Sequence, residues 1–146
     1  MTTYLLDVNV LLALCDPRHV HHETAHRWFQ STGRHAWATC PLTENGFIRI
    51  ASQPRYPNSP GGPGAVGAML RKFCASPVHV FWPDGVSLLD SQRIDWERLL
   101  SYAHITDIYL LALAVYHKGK LATLDTAIPA TAVAGGAEAL ELLGSD

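Results

Sequence analysis

Apolar residues recur along the chain in two kinds of run. Short blocks that are continuous or alternating predict strands: TYLLD at 3–7, HAWATC at 35–40, VHVFW at 78–82 and KLATLD at 120–125. Longer stretches with helical spacing lie between them. NVLLALCD (9–16) predicts a helix capped by Asn9, and HHETAHRWFQST (21–32) a surface helix that turns Ala25, Trp28 and Phe29 inward. LTENGFIRIAS (42–52) predicts a helix with Leu42, Phe47, Ile48 and Ile50 as its apolar members; AVGAMLRKFCAS (65–76) and DWERLLSYA (95–103) predict two more. TDIYLLALAVYHKG predicts a helix from Thr106 to a stop at Gly119, apolar nearly all round over 108–116 and therefore buried. ALELL (139–143) fits either a last short strand or a helix, and QPRYPNSPGGPG (53–64), with four prolines and three glycines, predicts a surface loop.

Strands alternating with helices imply parallel pairing, with crossover helices on both faces of the sheet. The expected class is α/β, a three-layer α/β/α sandwich around a central parallel sheet. Its 146 residues suit a single domain, 1–146, since domains typically take about 100 to 200 residues.

Composition narrows the function classes. At 48% hydrophobic and 16% charged the chain can bury a core, which excludes a disordered protein. A formal net charge of −2 provides no global positive field, so any phosphate partner must be met by local arginines or bound metal. Cys15, Cys40 and Cys74 are far apart and form no C-x-x-C pair, which argues against a disulfide framework or a cysteine zinc ribbon and fits a reducing compartment. The N-terminal MTTYLLDVNVLLALC lacks a basic leader and is broken by Asp7 and Asn9. It reads as neither a membrane span nor a signal peptide, so a cytoplasmic protein is expected.

One short segment suggests a zinc peptidase. His22, Glu23 and His26 stand in the H-E-x-x-H order, which on a helix puts two imidazoles on one face with a glutamate as general base. The extended pattern fails at Thr32, and no histidine lies between His35 and His79 to supply a third ligand. His19, His21, His22 and His26 are therefore expected to be exposed, capping or adventitious metal-binding residues.

The acidic residues carry a broader signal. In open α/β sheets ligands bind beyond the carboxyl ends of the strands. Asp7 closes TYLL, Asp125 closes KLATL, Glu44 follows HAWATC, and Asp107 opens the apolar helix before the fourth strand. The same geography nominates Asp84, whereas Asp90 and Asp95 read as solvated or capping residues. Each of the four also has a plainer explanation: a turn at Asp7, the helix macrodipole at Asp107, a cap at Asp125 and an exposed first-turn acid at Glu44. If they do meet, each pair of charges about 4 Å apart costs about 4 kcal/mol at an effective dielectric near 20. A divalent cation or raised pKa values must then hold the group together. Oxygen ligands favour Mg²⁺ or Mn²⁺, and such an ion acidifies water and neutralises phosphoryl charge, the chemistry of phosphodiester hydrolysis. Arg49, five residues after Glu44, and Arg55, in the Pro/Gly loop, are candidates to reach a phosphate.

Four segments taken together, YLLDVNVLLAL, WATCPLTENGFIRIAS, ITDIYLLALAV and LATLD, resemble in order and separation the signature segments of PIN-domain ribonucleases. Within that family the chain is most similar to VapC toxins of bacterial toxin–antitoxin pairs. The resemblance implies a PIN-like fold, metal-binding acids at Asp7, Glu44, Asp107 and Asp125, and small polar residues beside them at Asn9 and Thr106, with Thr123 a further one. It also implies one or two Mg²⁺ or Mn²⁺ ions, endoribonuclease activity, a homodimer, and a VapB-type antitoxin whose tail blocks the site. LDTAI departs from the pattern, because many relatives place a basic or aromatic residue soon after the aspartate. A PIN-like fold kept as an RNA or protein binding module, without catalysis, is the alternative.

Overall fold

Leu5 and Leu6 are adjacent and both fully buried, in two different cores, because successive strand residues face opposite sides of a sheet. The same split recurs at Ala38 against Trp37 and at Leu121 against Ala122. A sheet buried on both faces is what near-continuous apolar strands require. The computed structural model describes residues 1–144 and arranges them around that sheet. In chain order the elements are β1 (Tyr4–Leu6), α1 (Val8–Cys15), α2 (His22–Ser31), β2 (Trp37–Thr39), α3 (Pro41–Ala51), α4 (Pro63–Phe73), β3 (His79–Phe81), α5 (Ile105–Tyr116), β4 (Lys120–Thr123), α6 (Gly136–Ala139) and β5 (Leu140–Leu142).

Among the described residues the strands pair in parallel in the order β3-β2-β1-β4-β5, and an isolated antiparallel bridge joins Ile94 to Val133. Helices α1 to α4 pack on one face around Leu11, Phe47, Val66 and Leu70. On the other, α5 is buried from Ile108 to Ala114, against Leu5, Leu121, Ile128 and Val133. The three-layer α/β/α expectation holds. The order reverses between β1 and β4, opening a crevice at their carboxyl ends.

Several local expectations change. Asp7, not Asn9, caps α1: its Oδ1 accepts the Val8 N–H at 2.7 Å, which places Asn9 inside the first turn and frees its amide for other contacts. DWERLLSYA does not form one helix. Asp95 accepts the Glu97 N–H and Ser101 the Ala103 N–H, so two short 3₁₀ turns form at Trp96–Arg98 and Tyr102–His104. Leu100 between them is 89% exposed, so no buried apolar stripe holds a continuous helix. Helix α3 begins one residue earlier than LTEN, at Pro41, a residue preorganised for a first helical position. Pro63 does the same for α4 and shortens the predicted loop. ALELL divides between the end of α6 and β5. Among the described residues no helix is long and apolar enough to cross a membrane.

The end of α5 carries a close backbone approach. Lys118 takes the left-handed conformation (φ 59°), while a Cβ on Gly119 would fall 2.4 Å from the Thr3 carbonyl oxygen and 2.8 Å from the Trp82 ring. Gly119→Ala is therefore expected to destabilise the protein by about 2 kcal/mol or more, whereas Gly64→Ala, into open space, should stay within about 0.5 kcal/mol. Urea denaturation of the two variants checks this.

Candidate metal centre

The Thr123 hydroxyl organises the crevice. It donates to Asp7 Oδ2 at 2.7 Å and accepts from the Asp125 backbone N–H at 3.1 Å and from Asn9 Nδ2 at 3.3 Å. Asn9 Oδ1 in turn accepts the Leu124 N–H at 3.2 Å, and Asp125 Oδ1 the Ala127 N–H at 2.8 Å. The Asp7 backbone N–H donates to Ala122 at 3.0 Å, so Asp7 ends β1 while bonded to β4. One residue thus closes a strand, caps a helix and faces the acids of another strand end.

Asp7 is 5% exposed. Burial pushes its carboxyl up to about 6, and the charges of Asp107 and Asp125 push the same way, against the stabilising bonds from Thr123 and Val8. Asp107, in the first turn of α5, is likewise raised, first by burial and then by Asp125, with His104 opposing. Three acids from three elements therefore share one electrostatic site. Within it His104, Asp107 and Asp125 offer ligand atoms that all lie within 4.8 Å of one another. His104 was not among the residues nominated from sequence. Its i,i+3 spacing from Asp107 was the available signal, hidden by reading residues 95–103 as a helix that ended before it.

Glu44 has other company. The Thr39 hydroxyl donates to Glu44 Oε2 at 2.8 Å and lies 2.7 Å from His79 Nε2. Its single proton goes to the carboxylate, so His79 donates in turn. Glu44 lies in the first turn of α3 and outside the tight group of His104, Asp107 and Asp125. Thr123 is fully buried and bonded to Asp7, whereas Thr106 is exposed in the first turn of α5. Arg49 and Arg55 are both exposed, and Arg55 donates to the Gln53 side chain. Asp90 and Asp95 each cap a turn, as expected.

The H-E-x-x-H segment builds no peptidase site. His22 Nδ1 bonds the Ala13 carbonyl at 2.7 Å, tying α2 to α1, while Glu23 and His26 are exposed and Glu23 pairs with Arg27 at 2.9 Å. A cavity of about 210 Å³ lies between α1, α3 and the following loop, lined by Leu12, Phe47, Tyr56 and Met69; none of the four candidate acids lines it. At the strand ends Asp7 is buried, while Glu44, Asp107 and Asp125 are half-buried. Clustered carboxylates with an imidazole among them, two of them raised in pKa first by burial and then by neighbouring acids, fit a divalent cation.

Comparison with known proteins shows the family. The PIN domain model matches residues 4–134. The chain belongs to the PIN-domain family. It is 49% identical over 131 residues to Ribonuclease VapC44 of Mycobacterium tuberculosis (strain ATCC 25618 / H37Rv), covering 90% of this chain and 92% of that one. Ribonuclease VapC39 of the same strain is 41% identical over 138 residues, covering 94% and 99%. Among solved structures, Mycobacterium tuberculosis VapC20, a sarcin-ricin loop cleaving toxin, shares the fold with a TM-score of 0.61 at 16% identity, over 90% of this chain and 96% of that one. VapBC2 from Rickettsia felis, bound to a DNA fragment from its promoter, gives a TM-score of 0.62 at 11% identity, over 97% and 98%.

The buried carboxylate has a measurable cost. An acid with a raised folded pKa favours folding only while protonated: that contribution is complete below its unfolded pKa of 3.8 and is lost as pH rises through about 6. In EDTA, Asp7→Asn is expected to be more stable than wild type at pH 7.5 by about 1 to 3 kcal/mol, with the gap closing towards pH 4.5. Paired urea titrations at the two pH values measure it.

Proposed function

We propose that this PIN-domain protein is a metal-dependent endoribonuclease, the toxin of a type II toxin–antitoxin pair, with residues 1–146 forming one domain. The observation that carries the reading is the convergence of Asp7, Asp107 and Asp125 at the strand-order reversal, in a chain 49% identical to Ribonuclease VapC44. Asp7, Asp107 and Asp125 hold Mg²⁺ or Mn²⁺, with Glu44 contributing from the first turn of α3. Bound there, the ion supplies acidified water and neutralises charge on the phosphoryl group.

The chain's own residues do the rest. Thr123 fixes one oxygen of Asp7 and the backbone beside Asp125, so two acids from different strands keep one spacing. Asn9 locks Thr123 and the Leu124 amide, which holds the end of β4 against α1. Thr39 and His79 orient Glu44. Thr106, beside Asp107, is exposed and makes no hydrogen bond with the acids that the site depends on. Arg49 and Arg55 supply positive charge for RNA phosphates in a chain whose net charge is −2. The solved VapBC2 structure supports a VapB-type antitoxin as partner, and the family resemblance supports a homodimer working in the cytoplasm.

The test is cleavage of a mixed cellular RNA pool by purified protein freed of any partner, with Mg²⁺, Mn²⁺ or EDTA. Discrete fragments that require the metal are expected, and Asp125→Asn should lower cleavage by more than about 100-fold. RNA binding without cleavage under either metal would instead indicate a binding module. Thr123→Val, which frees Asp7, is expected to cost about 10 to 100-fold, while Thr106→Val and His22→Ala should cleave at rates close to wild type; initial rates on one mapped fragment separate these cases.

A further inference from the structure

His104 occupies the N-cap position of α5, where serine, threonine, aspartate or asparagine normally caps, yet its side chain makes no capping bond. Nor does it hold the preceding turn, which Ser101 caps through the Ala103 N–H at 3.1 Å. The imidazole is turned into the acid group instead. Its Nδ1 is buried with no hydrogen-bond partner, 3.6 Å from Asp107 Oδ2. That is too long for a hydrogen bond. It lies between the separations of two donors of one ion, roughly 3.0 Å when adjacent and about 4.2 Å when opposite for atoms about 2.1 Å from an octahedral cation, so a shift of about 0.6 Å would bring both onto one ion. Asp125 belongs to the same group: His104, Asp107 and Asp125 each offer a ligand atom, all within 4.8 Å of one another. Neither exposure nor capping accounts for an imidazole nitrogen held at ion-pair distance from Asp107 with no hydrogen bond of its own.

On the reading that these acids hold a divalent ion, we infer that His104 Nδ1 is a direct ligand and makes the site select Mn²⁺ over Mg²⁺. The physical reason is ligand hardness. Mg²⁺ is held by carboxylate, carbonyl and water oxygens and gives them up reluctantly, while imidazole suits first-row transition ions. A nitrogen in the ligand set therefore costs Mg²⁺ an oxygen and costs Mn²⁺ little. The acids set the charge of the site, and His104 sets which ion that charge retains.

The experiment is calorimetric titration of the purified full chain, freed of any partner, with Mn²⁺ and with Mg²⁺. Wild type is expected to bind Mn²⁺ at least about tenfold more tightly than Mg²⁺. In His104→Asn, which keeps a good N-cap, the ratio should fall to within about threefold. Spin-echo spectra of the Mn²⁺-loaded wild type should show modulation from a directly bonded ¹⁴N, a readout that needs neither a variant nor activity. An unchanged ratio, or no ¹⁴N coupling in wild type, overturns the inference while leaving the acid site standing. Asp125→Asn separates the two levels: if it binds both ions as wild type does, the metal centre itself is misplaced and the inference falls with it.

Discussion

The hydrogen bond from the Thr123 hydroxyl to Asp7 is the contact on which the strand ends depend. A carboxylate in a dry interior must be compensated by hydrogen bonds or opposite charge, and Asp7 receives one bond from each side: Val8 on one oxygen, Thr123 on the other. Those bonds join β1, α1 and β4 in a single polar knot between two apolar cores. Even so, burial and neighbouring acids leave the group strained towards its neutral form. A neutral residue would serve the fold better, so retaining the charge makes sense only for something positive that arrives after folding.

Topology explains why that positive partner would be met where it is. Because β1 sits between β2 and β4, and the order runs outward in both directions from it, the carboxyl ends of β1 and β4 form the natural cleft of the sheet. Helix α5 packs as an apolar post on one face of these strands, and its first turn, with Asp107, rises at the same end. Asp7 and Asp125 come from strand ends and Asp107 from a helix start, so the spacing between the acids is held by backbone rather than by flexible loops.

The chain announces its long-range plan more clearly than its local joints. β1, β4 and α5 were legible because continuous apolar runs leave few alternatives, and Asp7, Asp107 and Asp125 were legible because each stands where such a run begins or ends. Capping was harder. Asp7 and Asn9 are both good N-caps, and only the backbone at Asp7 decides between them. The 95–104 segment misled because short Asp95 and Ser101 turns compete locally with a helix, and that error concealed His104. Among the polar neighbours Thr123 is the buried one, and Thr106 is exposed. Spacing along the chain cannot say which face of a turn a threonine occupies.

The bond between Thr123 and Asp7 also joins residues 116 positions apart. β1 is made first and has only β2 beside it until β4 follows, so pairing across the sheet is non-local and late. A chain emerging from the ribosome at about 5 to 20 residues per second carries Asp7 for several seconds before Asp125 exists. For a chain whose chemistry acts on RNA, that ordering means a product stalled before Asp125 has no assembled centre.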